Sequence, residues 1–323
     1  MRKLLANTAP IKVVALVLLV AVASPAIHAA TLRVGPGEEF QRIADAARLA
    51  QDGDTVEILS GTYSGDVAVW LQKKLTVRGI GRRPVITADG KNAEGKAIWV
   101  LRNGDFRIEN IEFRGTRVPD GNGAGIRFEH GKLVVRNCAF IDNQMGILTS
   151  NDGASELRIE NSRFADAPRQ TQSLPHLLYV GRIARFSISG SRFENGYRGH
   201  LIKSRARYNE ISGNRIVDGP NGQASYEIDL PNGGIAHITN NTIGQNAQAQ
   251  NPILISYGAE GNVWPTNELL LTGNTLISDY LPTGWFLRVH TDRFPKPPKV
   301  TIDNNRTVGI GFFTFPDSGK SRH

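Results

Sequence analysis

The densest group of side chains that can transfer protons or hold an anion lies between residues 176 and 232. Imidazole, phenol, ammonium, guanidinium and carboxylate groups all occur there, and equivalent positions recur 24 and then 26 residues apart. Removing a proton beside a carboxylate requires a base, a cation that stabilises the anion formed, and an acid for the leaving oxygen. The residues that could supply these groups are His176, Tyr179, Arg182, His200, Lys203, Arg205, Tyr226, Glu227, Asp229 and Asn232.

A degenerate repeat positions these segments. Apolar and polar residues alternate within each copy with period two, which predicts strands rather than helices. A single unit cannot bury its apolar side alone, so we expect the units to stack as a solenoid of about nine to ten coils. The clearest copies lie at 106–113, 133–140, 157–164, 186–193 and 209–216, and weaker copies continue to residue 305.

Stacking of the coils would bring the reactive side chains together. Strict alternation predicts that Lys203 and Arg205 face outward, and that Glu227 and Asp229 do the same. Tyr257 and Glu260 are expected to extend the resulting groove by one coil. Because the spacings match the coil lengths, we expect two columns, His176–His200–Tyr226 and Tyr179–Lys203–Asp229.

A second column, of small polar residues, recurs at the end of each repeat. Stacked coils lie about 4.8 Å apart, so like side chains can hydrogen-bond along the stack. The only cysteine, Cys138, falls in this column, where we expect a buried core residue rather than a reactive thiol. The predicted members are Ser162, Ser191, Asn214, Asn241, Asn274 and Asn305.

Together with an entry segment at 32–37 and a helix near 40–50, this repeat resembles the pectate lyase-like superfamily. The resemblance covers nearly all of the chain after residue 30. It implies an all-β chain, a single right-handed parallel β-helix over 31–315 with an N-terminal cap at 31–60. The helix would cover the open end of the first coil, which would otherwise be free to pair with another chain.

The resemblance also implies a polysaccharide lyase that cleaves a uronic-acid polymer by β-elimination. Lys203 would then be the base, with its pKa lowered by Arg205, and Arg205 would neutralise the substrate carboxylate. His200 or Tyr226 would protonate the leaving oxygen. Many lyases of this superfamily hold calcium on the same face, and Glu227 and Asp229 are its candidate ligands here.

Three other functions remain open. Glu227 and Asp229 lie about 6.6 Å apart along a strand, near the carboxyl separation of inverting glycoside hydrolases. A non-catalytic protein that binds or assembles an exopolysaccharide would need no reactive group. Epimerases share the fold. The fold alone does not separate these functions.

The first 30 residues have the layout of a secretory signal peptide, with a basic start, a short apolar run and small residues at its end. The apolar run, 13–23, is too short to span a bilayer. Removal of the segment lowers the formal net charge from +8 to +5, because it holds three basic residues and no acidic one. We therefore expect a periplasmic or secreted protein. Its net positive charge favours an acidic polysaccharide as its partner, and we expect no nucleic acid. We also expect a monomer with a disordered polar tail at 316–323.

Overall fold

The computed structural model describes residues 29–169, 173–281 and 284–313. Over these residues the chain winds into a parallel β-helix of about ten turns, as the repeat predicted. Most of the predicted signal peptide, and the tail at 316–323, lie outside the described residues.

Each coil contributes one strand to each of three sheets, and all neighbouring strands are parallel. Sheet 1 comprises Thr31–Val34, Thr55–Leu59, Lys74–Ile80, Gly104–Glu109, Gly131–Arg136, Glu156–Glu160, Arg185–Ser189, Tyr208–Ser212, Ile235–Thr239, Glu268–Thr272 and Lys299–Asp303. Sheet 2 comprises Thr62–Ser64, Val85–Thr87, Glu112–Arg114, Ala139–Ile141, Arg163–Ala165, Arg192–Glu194, Arg215–Val217, Thr242–Gln245, Thr275–Ser278 and Arg306–Gly309. Sheet 3 comprises Ala68–Trp70, Ala97–Leu101, Ala124–Phe128, Met145–Thr149, His176–Val180, Ile202–Ser204, Ile228–Leu230, Ile253–Tyr257, Gly284–Val289 and Gly311–Phe313.

The core is a stack of apolar side chains inside the coils. One row consists of Phe113, Phe140, Phe164 and Phe193, whose neighbouring rings are nearly parallel with centroids 4.8–5.2 Å apart. Each of these rings is almost fully buried, which stabilises the fold by about 1.5–3 kcal/mol per side chain. The equivalent position holds a ring or a branched aliphatic side chain in the coils from Tyr63 to Leu276, and Thr307 takes it in the last coil.

The polar column forms as predicted. Asn214 donates from Nδ2 to Oδ1 of Asn241 at 3.0 Å, and Asn241 donates to Asn274 at 3.0 Å. Asn274 continues the series to Asn305 at 2.9 Å. Cys138 lies in the same column, and burial raises the pKa of its thiol to about 12. The column satisfies buried polar groups at one corner of the solenoid, and the thiol stays protonated.

A short helix, Ile43–Leu49, covers the first coils as expected. Both of its ends are tied to the next coil. Asp66 accepts hydrogen bonds from the backbone N–H groups of Ile43 and Ala44, and Gln72 donates to the carbonyls of Ala47 and Ala50. A single 3-10 turn forms at Thr291–Arg293. No helix in the described ranges has the length and apolar character needed to cross a membrane.

Charged side chains alternate in sign along the outer face of sheet 1. Glu57, Arg78, Glu109, Arg136 and Glu160 occupy one register position on successive coils. The Arg78 guanidinium lies 2.6 Å from Glu57, and Arg136 lies 4.0 Å from Glu109 and 2.5 Å from Glu160. We call these five residues the charge ladder. Each cation meets an anion on a neighbouring coil.

Candidate functional site

The outer face of sheet 3 carries the predicted reactive residues. In the strand His176–Val180, the side chains of Leu177, Leu178 and Val180 lie in the core, whereas those of His176 and Tyr179 lie outside it. Two consecutive residues point inward where the chain turns from sheet 2 into sheet 3. The equivalent strands on the next coils repeat this order, so alternation is interrupted at each of these corners.

Both predicted columns form. Tyr179 pairs in register with Lys203, and Lys203 with Asp229. The rings of His176 and His200 stack with centroids 4.7 Å apart, and His200 and Tyr226 stack at the same distance. The coil lengths were therefore sufficient to align both columns, and Asp229 also approaches His200 of the neighbouring column.

Two of the predicted site residues, Glu227 and Tyr257, have side chains that are buried in the solenoid instead of facing the groove. Glu227 takes the inward position equivalent to Leu201 and Leu254, is 0% exposed, and has no hydrogen-bond partner at either carboxylate oxygen among the described residues. Tyr257 is also fully buried and donates its hydroxyl hydrogen bond to the Gly234 carbonyl. Tyr257 therefore does not extend a surface groove, and Glu227 does not share a face with Asp229.

Two cations bind the same carboxylate on this face. The Lys203 ammonium lies 2.8 Å from one oxygen of Glu260, and the Arg205 guanidinium lies 2.7 Å from the other. Arg205 also donates to the Tyr179 hydroxyl at 3.0 Å and to Oδ1 of Asn232 at 2.8 Å. We call Tyr179, Lys203, Arg205, Asn232 and Glu260 the cation site. Its guanidinium is fixed in orientation by three acceptors.

The cation site rests on buried titratable groups. Asp229 lies 3.7 Å from the Lys203 ammonium and 3.4 Å from Nε2 of His200. Burial raises the pKa of Asp229 to about 6 although Lys203 opposes the shift. Burial, with a smaller effect of Lys203, lowers the pKa of His176 to about 3. Burial also lowers the pKa of His200 well below its ordinary value, so both imidazoles are neutral at pH 7.

The remaining predicted residues border the cation site. Tyr226 is half-buried, and burial together with the Asp229 carboxylate raises the pKa of its hydroxyl. Arg182 lies over the ring of Trp264 with its guanidinium carbon 3.9 Å from the centroid, and donates to the carbonyl of Asn262 at 2.9 Å. The Trp264 indole in turn donates to the Arg205 carbonyl at 3.1 Å. Through these contacts with Trp264 and Asn262, Arg182 stabilises the loop that follows Glu260.

Glu260, expected only to extend the groove, is the central residue of the cation site. It lies in the loop after the strand Ile253–Tyr257, two coils beyond Lys203, and strand periodicity does not place loop side chains. Burial acts to raise its pKa, but the hydrogen bonds from Lys203 and Arg205 lower it below the ordinary value. The sequence signal was an acidic residue two coils beyond two cations of one strand segment.

The fold and the site define a parallel β-helix with a charged, partly buried cluster on one outer face. Residues 59–280 match the family described as the periplasmic copper-binding protein NosD. The chain belongs to this family, and the solenoid is the right-handed parallel β-helix of the pectate lyase-like kind. None of the curated proteins matches the sequence.

Solved structures of polysaccharide lyases share the fold. A variant of the PL6 family alginate lyase AlyGC has a TM-score of 0.57 at 17% identity, covering 88% of this chain and 41% of that one. Pectate lyase Pel9A gives 0.58 at 14% identity, covering 85% and 78%. An alginate lyase from Paenibacillus sp. str. FPU-7 gives 0.53 at 14% identity, covering 88% and 97%. The chain spans about two fifths of AlyGC. At these identities the likeness concerns the fold alone.

Proposed function

We propose that the protein is an exported enzyme that cleaves an acidic polysaccharide by β-elimination at the cation site. The observation that carries the proposal is that Lys203 and Arg205 bind the two oxygens of one carboxylate, that of Glu260. A uronate carboxylate has the same geometry and charge. The description of the family as periplasmic supports export of the protein to a compartment that contains polysaccharides.

In this mechanism the substrate carboxylate replaces the Glu260 carboxylate. Arg205 binds one of its oxygens, as it binds Oε2 of Glu260, because Tyr179 and Asn232 already hold the guanidinium in place. Neutralising the carboxylate stabilises the negative charge that forms when the adjacent carbon loses its proton. Arg205 would thus act most strongly on the transition state.

Lys203 takes the proton. Displacement of Glu260 removes the nearer of the two carboxylates that bind the Lys203 amino group. As the carbon–hydrogen bond breaks, its electrons form the carbon–carbon double bond, and the bond to the glycosidic oxygen breaks. Tyr226, whose raised pKa keeps its hydroxyl protonated, supplies the proton to that oxygen.

Hydrolysis is the second candidate, and a specific pair of carboxyl groups favours it. The earlier pair, Glu227 and Asp229, lies on opposite sides of the strand. Asp229 and Glu260, in contrast, both approach the Lys203 ammonium, at 3.7 and 2.8 Å. The two oxygens concerned are thus no farther apart than the sum of those distances, a range that includes the roughly 5–5.5 Å carboxyl separation of retaining enzymes and only reaches the lower end of the roughly 6.5–9.5 Å of inverting ones. Their pKa values are shifted in opposite directions, as the acid and the nucleophile of a retaining enzyme require.

The family description raises copper, and the described residues do not fit it. No three His, Cys, Asp or Glu side chains in the described ranges are placed to hold a metal ion. His176 and His200 stack rather than converge, and Nδ1 of His176 accepts the backbone N–H of His200 at 2.9 Å. The Cys138 thiol is buried in the core. Calcium between Glu227 and Asp229 fails for a related reason, because the two carboxylates do not face one pocket.

One assay separates the candidate reactions. The protein is incubated with polygalacturonate, alginate and neutral dextran, and ultraviolet absorbance and reducing ends are followed together. Elimination raises both signals, because each cut leaves an unsaturated uronate, whereas hydrolysis raises reducing ends alone. We expect both signals to rise with an acidic polymer and neither with dextran. No change with either acidic polymer would contradict the proposal and favour a non-catalytic role.

Glu260→Gln distinguishes the two reactions independently. If Glu260 only occupies the place of the substrate carboxylate, its neutral variant binds substrate more tightly, so KM falls while kcat is retained. If Glu260 is the nucleophile of a hydrolase, kcat collapses by roughly the 10²–10⁴-fold typical of a catalytic carboxylate. Asp152→Asn, at a loop carboxylate bonded to Ser150 and Ser155, serves as the matched control.

A further inference from the structure

A column of like charges crosses the outer face of sheet 2. Arg163 pairs in register with Arg192, and Arg192 with Arg215, so three guanidinium groups lie on successive coils. All three side chains are exposed, and the coils are about 4.8 Å apart. We call these residues the arginine column.

Most of this positive charge has no internal partner. Glu194 binds Arg163 at 2.7 Å. Among the described residues, Arg192 and Arg215 form neither an ion pair nor a side-chain hydrogen bond, in contrast to the alternating arginines of the charge ladder. Like charges that face each other on neighbouring strands destabilise a sheet. An external anion bound along the column would remove that cost.

A groove continues along the same face beyond Arg215. It encloses a cavity of about 490 Å³, and its floor consists of Val217, Gly244 and Ile277. A Cβ atom at Gly244 would lie 3.3 Å from Ile277 and 3.4 Å from Val217, so the glycine leaves a shallow gap between two aliphatic side chains. The carbon–hydrogen face of a sugar ring can pack against this apolar floor.

The rim of the groove offers one exposed amide group, that of Gln248. Gln245 lies on the inner side of the same strand as Gly244, where its Nε2 donates to the buried Ser278 at 3.2 Å, so its side chain does not face the groove. Asp279 is the carboxylate of the lining and forms no ion pair with Arg215 in the described structure. A side-chain amide at the rim can bind a sugar hydroxyl.

We propose that the arginine column and this groove form a second, non-catalytic binding site for an acidic polysaccharide. The guanidinium groups bind the carboxylates of the polymer, the apolar floor packs against a ring, and the Gln248 amide binds a hydroxyl. The polymer then runs along the axis of the β-helix. No aromatic side chain lines the described groove, so nucleic-acid bases lack a stacking surface. The proposal does not require catalysis at the cation site.

Binding is measured with the full chain carrying Lys203→Ala and Arg205→Ala, which removes both cleavage and binding at the cation site. The probes are polygalacturonate and alginate fragments, their carboxyl-reduced neutral forms, and single-stranded DNA. Adding Arg192→Ala and Arg215→Ala should weaken binding of an acidic fragment roughly a hundredfold, because each substitution removes one charge-assisted hydrogen bond and about a factor of ten in affinity. The matched control is Arg107→Ala with Arg158→Ala, which removes the same charge from sheet 1.

Val217→Asp tests the floor without touching the arginines, and circular dichroism checks that each variant folds. It should weaken binding of the acidic fragment and leave the thermal transition nearly unchanged. Equal losses in the sheet 1 control, binding of DNA as tight as that of the uronate fragments, or no binding of either acidic fragment would each overturn the proposal. Retained binding of the carboxyl-reduced fragments would overturn the role of the arginines.

Discussion

Sheet 1 and sheet 3 both present charged side chains on their outer faces, but they treat those charges differently. In the charge ladder, the arginine side chains at 78 and 136 are 47% and 40% exposed, and signs alternate from coil to coil. At the cation site, Lys203 and Arg205 are 12% and 18% exposed and lie in one strand segment beside a buried Asp229. Surface charge alone therefore does not mark a site.

The two faces differ in how far their charged groups are removed from water, and in whether buried polar atoms lack a hydrogen-bond partner. The charge ladder keeps its guanidinium groups exposed to solvent, so its ion pairs contribute little stability and need no special environment. The site coils bury Asp229 and two imidazoles, and leave Oδ1 of Asp229 and Nδ1 of His200 without partners in the described structure. Burying such groups without partners lowers stability, so their presence at these positions indicates a function. The comparison predicts that substitutions on sheet 3 change activity, whereas those on sheet 1 change little.

The largest effect is expected for Arg205→Ala. It removes the guanidinium that neutralises the substrate carboxylate, so kcat on an acidic polysaccharide should fall by about 10²–10³-fold, as for loss of one oxyanion donor. Arg136→Ala on the charge ladder is the matched control and should retain activity. Initial rates of ultraviolet absorbance with each variant measure both. Equal rates for Arg205→Ala and the control would remove the distinction between the two faces.

The next effect concerns stability. Glu227 occupies a position that Leu201 and Leu254 fill on the neighbouring coils, so Glu227→Leu should raise the free energy of unfolding by about 1–3 kcal/mol, the cost of an unmet buried polar group. Urea unfolding at neutral pH measures it. Glu109→Leu, on the charge ladder, should instead be neutral or slightly destabilising. A loss of stability in Glu227→Leu would mean that the carboxyl group has a partner in the folded protein.

The pH dependence of that gain follows from the raised pKa of Glu227, which burial shifts well above its ordinary value of 4.5. The stability contribution of its neutral form is complete below the ordinary pKa and is lost as the pH rises through the raised pKa of the folded state. The advantage of Glu227→Leu should therefore be larger at neutral pH than in acid. An advantage that grows toward acid would have the wrong sign.

The same position shows what the sequence could and could not predict. Repeat spacing and period two were enough for the solenoid, the asparagine column and the register of Tyr179 with Lys203, because each depends on the strand backbone alone. Glu227 was misplaced because two consecutive residues point inward at the corner before each sheet 3 strand. Glu260 was expected only to extend the groove, because a loop of irregular conformation carries it and no periodicity places its side chain beside Lys203.

A smaller effect is expected from the buried histidines in acid. Burial holds the pKa of His176 at about 3, far below its ordinary value of 6.5, so its contribution to stability is present above that ordinary value and is lost as the pH falls. His176→Asn keeps an acceptor for the His200 N–H but does not titrate. Between about pH 6 and about pH 5 the wild type should lose up to about 1.4 kcal/mol more than this variant.

His130→Asn is the control for that measurement, because its imidazole is 50% exposed. Urea unfolding of this variant at the same pH values gives the reference for replacing an exposed imidazole with an amide. If His176→Asn kept the wild-type slope, the imidazole would titrate normally and the site coils would be more hydrated than the described packing allows.

The smallest effect should come from the charge ladder itself. Arg78→Ala removes the ion pair with Glu57, whose atoms lie 2.6 Å apart, but the guanidinium is about half exposed, so the loss should stay near or below about 1 kcal/mol. Thermal unfolding at low and high salt measures it, and salt should reduce the difference from the wild type. A larger or salt-independent loss would show that these ions are desolvated. The contrast between the two faces would then rest on unmet bonding at the site coils, since hydration would no longer distinguish them.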